Sequence, residues 1–200
     1  NIATKEDIKE ITSQIETVKN EISFEKQRRH EFINQRTERL LKIWYLTEKL
    51  NEQQEILLYA LYDKHSSKRL LSLIEQINGT LLSFLHECRI IYVTVEDKDL
   101  TSRVTDLIKD AQAYAGYMCY IASNAASHLT NWEDFLDLAE KHNNATQLLN
   151  EAIKSQNGVE QTRKEFENNI SDKKEALYES QIKYLSKLNL LFGSEFHLKE

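Results

Sequence analysis

The sequence predicts an all-α protein, and three observations carry that reading. The 200 residues contain no proline and only four glycines, where an average soluble chain of this length holds roughly ten prolines and about fourteen glycines. Apolar residues recur at steps of three and four along most of the chain, the spacing that gathers them on one side of a helix. Clusters of turn-forming residues are few and far apart, so the chain folds from a small number of long elements.

The first helix has a start signal in Thr4 and Asp7, a capping-box pair that satisfies otherwise orphaned backbone amides, with Glu6 and Asp7 at the positive end of the helix dipole. Its stripe of Ile8, Ile11, Ile15, Val18 and Ile22 alternates steps of three and four, the spacing of a coiled-coil seam. The stripe then thins: "EKQRRHE" at 25–31 has no apolar residue, and Phe32 and Ile33 stand almost alone before Leu40. From Leu40 to Leu61 the pattern returns more broadly through Leu41, Ile43, Trp44, Leu46, Leu50, Leu57 and Leu58, which means burial against several neighbours instead of one.

"DKHSSK" at 63–68 predicts the first turn. The second helix is striped by Leu70, Ile74, Ile77, Leu81, Leu85, Cys88 and Ile91; its phase holds across Asn78-Gly79, which keeps Gly79 inside the helix at about 1 kcal/mol relative to alanine. "TVEDKDLTS" at 94–102 is the next break, with Asp97 or Asp99 as the cap. The third helix carries Val104, Leu107, Ile108, Ala111, Ala115, Met118, Ala122 and Leu129. Thr130 and Glu133 form a second capping-box pattern and are expected to start the fourth helix, whose stripe runs through Leu138, Leu149, Ala152, Val159, Phe166, Ile170, Leu177, Tyr184, Leu188 and Leu191 to Phe192. Gly193 is its expected C-terminal cap. A break at Gly158 is the alternative to one continuous helix.

Divided near residues 36 and 158, the chain yields four inner segments of roughly 28 to 32 residues, or about 42 to 48 Å at 1.5 Å per residue. Matched lengths and short turns predict an up-down-up-down four-helix bundle over 36–158. Residues 4–35 and 159–192 are then expected to leave the bundle at one end and pair as an antiparallel two-helix coiled-coil stalk, with Ile8, Ile11, Ile15, Val18 and Ile22 packing against Leu177, Tyr184, Leu188 and Leu191. Charge favours that pairing: Lys26, Arg28, Arg29, Arg36, Arg39 and Lys42 would face Glu160, Glu165, Glu167 and Asp172. Exposed pairs of this kind contribute only about 0–1 kcal/mol each and would set register more than stability.

A formal net charge of −6 argues against a nucleic-acid partner, because phosphate contacts need a basic face. The basic run at 25–42 reads as a solvated or stalk-paired surface. No stretch reaches the roughly 18 to 20 apolar residues that span a bilayer. Cys88 and Cys119 fall within apolar helical patterns and read as small buried hydrophobes.

Catalytic and metal motifs are not found. A di-iron bundle needs Glu-x-x-His, so that both ligands project from one helix face, and none of the six histidines has that glutamate. "HEFIN" at His30 and "HECRI" at His86 lack the second histidine of a zinc-protease helix. There is no phosphate-binding glycine loop, no Cys-x-x-Cys and no Gly-x-Ser-x-Gly. The acidic group Glu133, Asp134, Asp137 and Glu140 suits the first turns of a helix. His86 and His128 read as hydrogen-bonded structural residues. No enzyme activity, cofactor or metal is therefore expected. The stretch holding Tyr114, Tyr117 and Tyr120 reads as packing, with a small-ligand pocket between bundle helices as the alternative.

Asn1, Ala3, Thr4, Lys5, Glu6, Asp7 and Ile8, with Ile2 in place of the usual leucine, resemble the segment that directly follows an amino-terminal membrane helix in a loosely defined set of uncharacterised bacterial membrane-anchored helical proteins. The likeness covers residues 1–22. It implies a protein tethered to the bacterial inner membrane by a segment upstream of Asn1, with its helical body in the cytoplasm. It implies no activity and no catalytic residues. The function expected is that of a helical interaction or scaffold module that meets a protein partner or a second copy of itself.

Overall fold

The computed structural model describes residues 5–62, 67–141 and 145–196, with side chains from Lys9 to Phe192. Four helices account for them: α1 (Lys5–Tyr62), α2 (Ser67–Thr94), α3 (Lys98–Lys141) and α4 (Ala145–Phe196). The protein is all-α, a helical bundle without strands among the described residues. The chain divides into two compact units, Asn1–Leu41 and Lys42–Glu200.

The first unit is the N-terminal part of α1. Every residue from Lys9 to Phe32 is exposed. The capping pair expected at Thr4 and Asp7 lies outside the residues whose side chains are described.

The second unit holds the rest of α1 with α2, α3 and α4. Much of its core is drawn from the stripes the periodicity marks: Ile43, Leu46, Leu50, Leu57 and Leu61 of α1, Leu70, Ile77 and Ile91 of α2, Val104, Leu107 and Met118 of α3, and Val159, Phe166, Leu177, Tyr184 and Leu188 of α4 are buried, whereas Leu73, Phe84 and Ile121 join it from outside those stripes and Ile74, Leu81 and Leu85 are only half-buried. At positions such as Ala111, Ala115, Ala122 and Ala125, all buried, α3 presents small side chains. Small residues let neighbouring backbones approach closely, and large side chains from the facing helices fill the space they leave.

Hydrogen bonds fix which residues face each other. Between α1 and α2, Lys42 Nζ donates to Glu87 Oε1 (2.7 Å) and Gln53 Nε2 to Thr80 Oγ1 (2.9 Å). Between α2 and α3, Ser67 Oγ donates to Glu133 Oε2 (3.3 Å) and Cys119 Sγ to Asn78 Oδ1 (3.7 Å). Between α3 and α4, Tyr117 Oη donates to the Glu165 carbonyl (3.1 Å), Ser180 Oγ to Asp110 Oδ2 (2.5 Å) and Arg103 Nη1 to the Lys183 carbonyl (2.6 Å). Between α1 and α4, Gln181 Nε2 donates to Thr47 Oγ1 (2.7 Å), and Tyr62 Oη to Glu167 Oε1 (2.5 Å). In each pair of helices residue numbers rise along one as they fall along the other.

Several of these groups sit in the core: Thr47, Gln53, Gln54, Thr80, Ser180 and Gln181 are buried. A buried amide or hydroxyl that loses its partner costs about 1–3 kcal/mol, so sliding one helix along another would break several such bonds at once. The apolar stripes supply cohesion, and the polar crossings supply register.

Two expectations about α3 and α4 need correction, and they share one cause. Thr130 and Glu133 do not start a helix; both lie inside α3, which runs to Lys141. No proline or glycine interrupts the chain there, and the Glu133 carboxylate instead accepts from the Ser67 amide (3.4 Å) and hydroxyl at the start of α2, capping a helix remote in sequence. With 44 residues, α3 is about 66 Å long at 1.5 Å per residue, well beyond the segment length expected. The C-terminal half of α4 is consumed in following it back: Ser180, Lys183 and Lys187 lie against Asp110, Arg103 and Asp97. Residues 159–192, expected in a stalk with residues 4–35, thus line the second unit, where Leu177, Tyr184 and Leu188 are buried. Helix α4 is continuous through Gly158 and continues past Gly193, which is not its terminus.

The break before α3 follows expectation. Asp97 Oδ1 accepts from the Leu100 amide (2.9 Å), the bond of an N-cap residue. Lys187 bridges Asp97 (3.0 Å) and Asp99 (3.1 Å). The Leu100 amide and then Lys187 hold the Asp97 carboxyl below the ordinary carboxylate range. Because the folded-state value is depressed, this contribution is present above the unfolded carboxylate value of about 3.9 and is lost as pH falls through the folded value. Asp97→Ala is expected to lower stability by about 1 kcal/mol at neutral pH, and Asp97→Asn, which keeps the cap acceptor, by less. Urea titrations at pH 7 and pH 3 test this: the cost of Asp97→Ala should shrink at the lower pH, and an undiminished cost would refute the charged-cap account.

Candidate functional site

The exposed stripe of the first unit is the candidate site. Ile11, Ile15, Val18 and Ile22 are 53%, 60%, 52% and 52% exposed, and together with Gln14 and Lys19 they line a shallow apolar groove along α1. Single exposed apolar residues are ordinary; a contiguous row of four at seam spacing is not, and it makes this face the candidate site. The side chain of Ile8 lies outside those described. Leu191, placed opposite in the sequence-based expectation, is half-buried in the second unit.

The row is narrow along the helix. Between the seam positions stand Thr12, Ser13, Gln14, Glu16, Thr17, Lys19, Asn20 and Glu21, so the apolar strip is one or two residues wide. A strip that narrow fits one or two partner helices and does not suit the inside of a larger bundle. Beyond it, Glu25, Arg28, Arg29, Glu31, Phe32 and Gln35 line a second, polar groove. Arg28 pairs weakly with Glu25 at 4.0 Å.

Three of the charges expected to bind the two ends of the chain pair elsewhere. Glu160 pairs with Arg163 (2.5 Å) and Lys164 (3.9 Å), Glu167 with Arg163 (2.6 Å), and Lys42 with Glu87. The Arg163 guanidinium also stacks over the Tyr62 ring at 4.4 Å. Of these contacts, the Arg163–Tyr62 stacking joins α1 to α4, Lys42–Glu87 joins α1 to α2, and the rest lie within α4.

The tyrosine stretch is built as packing. Tyr114 is fully buried, and its hydroxyl donates to Gln54 Oε1 (3.2 Å). The Tyr117 hydroxyl is taken by the Glu165 carbonyl, and its ring stacks between Tyr120 (6.3 Å) and Phe166 (6.1 Å) under the Lys173 ammonium (5.2 Å). Burial pushes the Tyr114 and Tyr117 phenols above their ordinary value. Both of these hydroxyl protons are committed to protein acceptors, while Tyr120 is exposed.

The structural reading holds for some of the remaining candidates and fails for His86. Cys88 is buried and burial pushes its thiol up to about 12, so it is not a nucleophile at neutral pH. His86 is exposed. Half-buried His128 lies against α4 at Gly158, where a methyl group would stand 2.5 Å from its ring. In the acidic group, Glu133 caps α2 and Asp137 pairs with Lys141 (2.5 Å). Among the described residues no group of three or more His, Cys, Asp or Glu side chains is placed to hold a metal ion, and no helix is long and apolar enough to cross a membrane.

No protein-family model, curated protein or solved structure matches the chain.

Proposed function

We propose that this protein is a membrane-tethered helical interaction module without catalytic activity, in which an up-down-up-down four-helix bundle supports an N-terminal helix that docks a partner helix. The observation that carries this reading is the exposed row Ile11, Ile15, Val18, Ile22, an apolar seam at coiled-coil spacing. The opposed residue numbering of the α1–α2, α2–α3, α3–α4 and α1–α4 hydrogen bonds supports the bundle topology. The likeness of residues 1–8 to a juxtamembrane segment supports the tether and a bacterial inner-membrane location with the helical body in the cytoplasm.

The test is photo-crosslinking of the complete gene product in its own cells, with a photoreactive amino acid at position 18 and, as control, at position 20, which lies off the seam. A defined adduct from position 18 that is absent from position 20 and abolished by Ile15→Asp is the expected result. Equal labelling from both positions would refute the docking face. Recovery of the protein in the membrane fraction tests the tether separately.

A further inference from the structure

We infer that the partner of the exposed seam is two further copies of this chain, and that residues 8–22 assemble as a parallel three-stranded coiled coil. This deepens, and rests on, the reading of the row as a docking face. The seam is β-branched at every layer, and its flanks are charged in a way that favours identical strands running in the same direction.

The register follows from the spacing. Ile8, Ile15 and Ile22 occupy one set of seam positions, the a positions of a heptad, and Ile11 and Val18 the other, the d positions. β-branched residues at a with leucine at d favour two strands, whereas isoleucine at both a and d shifts the preference toward three or more. The seam here contains no leucine. It ends where Glu25 and Arg29 take the next two layers, since rings of like charge on an axis are unfavourable.

The flanks decide direction. Thr12, Lys19 and Lys26 stand at e, and Gln14 and Glu21 at g. Parallel, in-register strands set each g against the e position of the next heptad on a neighbour, bringing Glu21 to Lys26 and Gln14 to Lys19. Antiparallel strands would set e against e, Thr12 against Lys19, and would lose the Glu21–Lys26 pair. The segment is also ill suited to lie on a lipid surface, because Lys9 and Lys19 are outnumbered by Glu10, Glu16 and Glu21, and surface helices rely on a basic polar face. Two heptads are a short seam, so assembly is expected to depend on protein concentration and to strengthen where the chains share a membrane plane.

Sedimentation equilibrium of the 200-residue chain across a range of concentrations tests the inference. A monomer–trimer equilibrium is expected. Ile15→Lys should weaken association on the order of a hundredfold with an unchanged helical spectrum, and the double substitution Ile11→Leu, Val18→Leu should convert the trimer to a dimer. A monomer at all concentrations, a wild-type dimer, or a trimer indifferent to Ile15→Lys would overturn it. The position-18 crosslink separates the two levels: an adduct with a different protein from a monomeric chain refutes the trimer and keeps the docking face, whereas self-adducts up to three chains support both.

Discussion

Phe166→Ala is expected to lower the unfolding free energy by about 3–5 kcal/mol, the range for removing a large aromatic side chain from a packed core. Phe166 is fully buried in α4, its ring 6.1 Å from that of Tyr117, and the neighbouring Glu165 carbonyl holds the Tyr117 hydroxyl. Its loss removes the ring that packs on Tyr117 of α3 and leaves a void in the core. The contrast is Ile15→Ala on the exposed row, which in dilute protein is expected to change stability by no more than about 0.5 kcal/mol. Urea unfolding of both variants, with comparison of midpoints and slopes, checks this. Comparable losses from the two substitutions would mean that the row is part of the folded core and would sink the assignment of cohesion to the second unit.

Much of that core is legible in the sequence, because the hydrophobic period of a helix repeats inside the chain itself. Ile43 to Leu61, Leu70 to Ile91 and Val104 to Leu129 are marked by spacing alone, and the same spacing marks the exposed row on α1. The Asp97 cap is legible too, since its partner, the Leu100 amide, is three residues away. What fails is whatever depends on a distant neighbour. Thr130 and Glu133 have the form of a capping box, but the carboxylate is engaged by Ser67, 66 residues away. No local pattern reveals that. Misplacing this one boundary shortened α3, which in turn freed the end of α4 for a stalk.

Buried Thr47, Gln53, Gln54 and Gln181 show the same limit from the other side. The apolar spacing that marks the stripes passes over them. In the fold they are partners of one another or of Thr80 and Tyr114 across helix boundaries. Their chemistry requires a partner, but it does not name one. The exposed row differs again: spacing identifies it as a seam, and only the exposure of its side chains shows that the described chain leaves it open.

Gly158→Ala is expected to destabilise the protein although it replaces a poor helix former with the best one. In an unhindered helix interior the exchange gains about 1 kcal/mol, and Gly79→Ala, with nothing within 4 Å of the added methyl, should show that gain. At Gly158 the methyl carbon would stand 2.5 Å from His128 Cε1 and Nδ1 and 2.8 Å from Cγ. Since Cγ is among the close atoms, the whole imidazole must move, not merely its tip. Forcing such a shift typically costs about 1–3 kcal/mol, which outweighs the propensity gain and leaves a net loss of up to about 2 kcal/mol. The same glycine looks from the sequence like a candidate helix break; its place in the fold is a close approach between α3 and α4. A double-mutant cycle isolates the clash: adding His128→Ala to Gly158→Ala should recover the lost stability, with a coupling of about 1–3 kcal/mol between the two sites. Independent, additive effects would show that Gly158 is tolerated in α4 for a reason other than the histidine ring beside it.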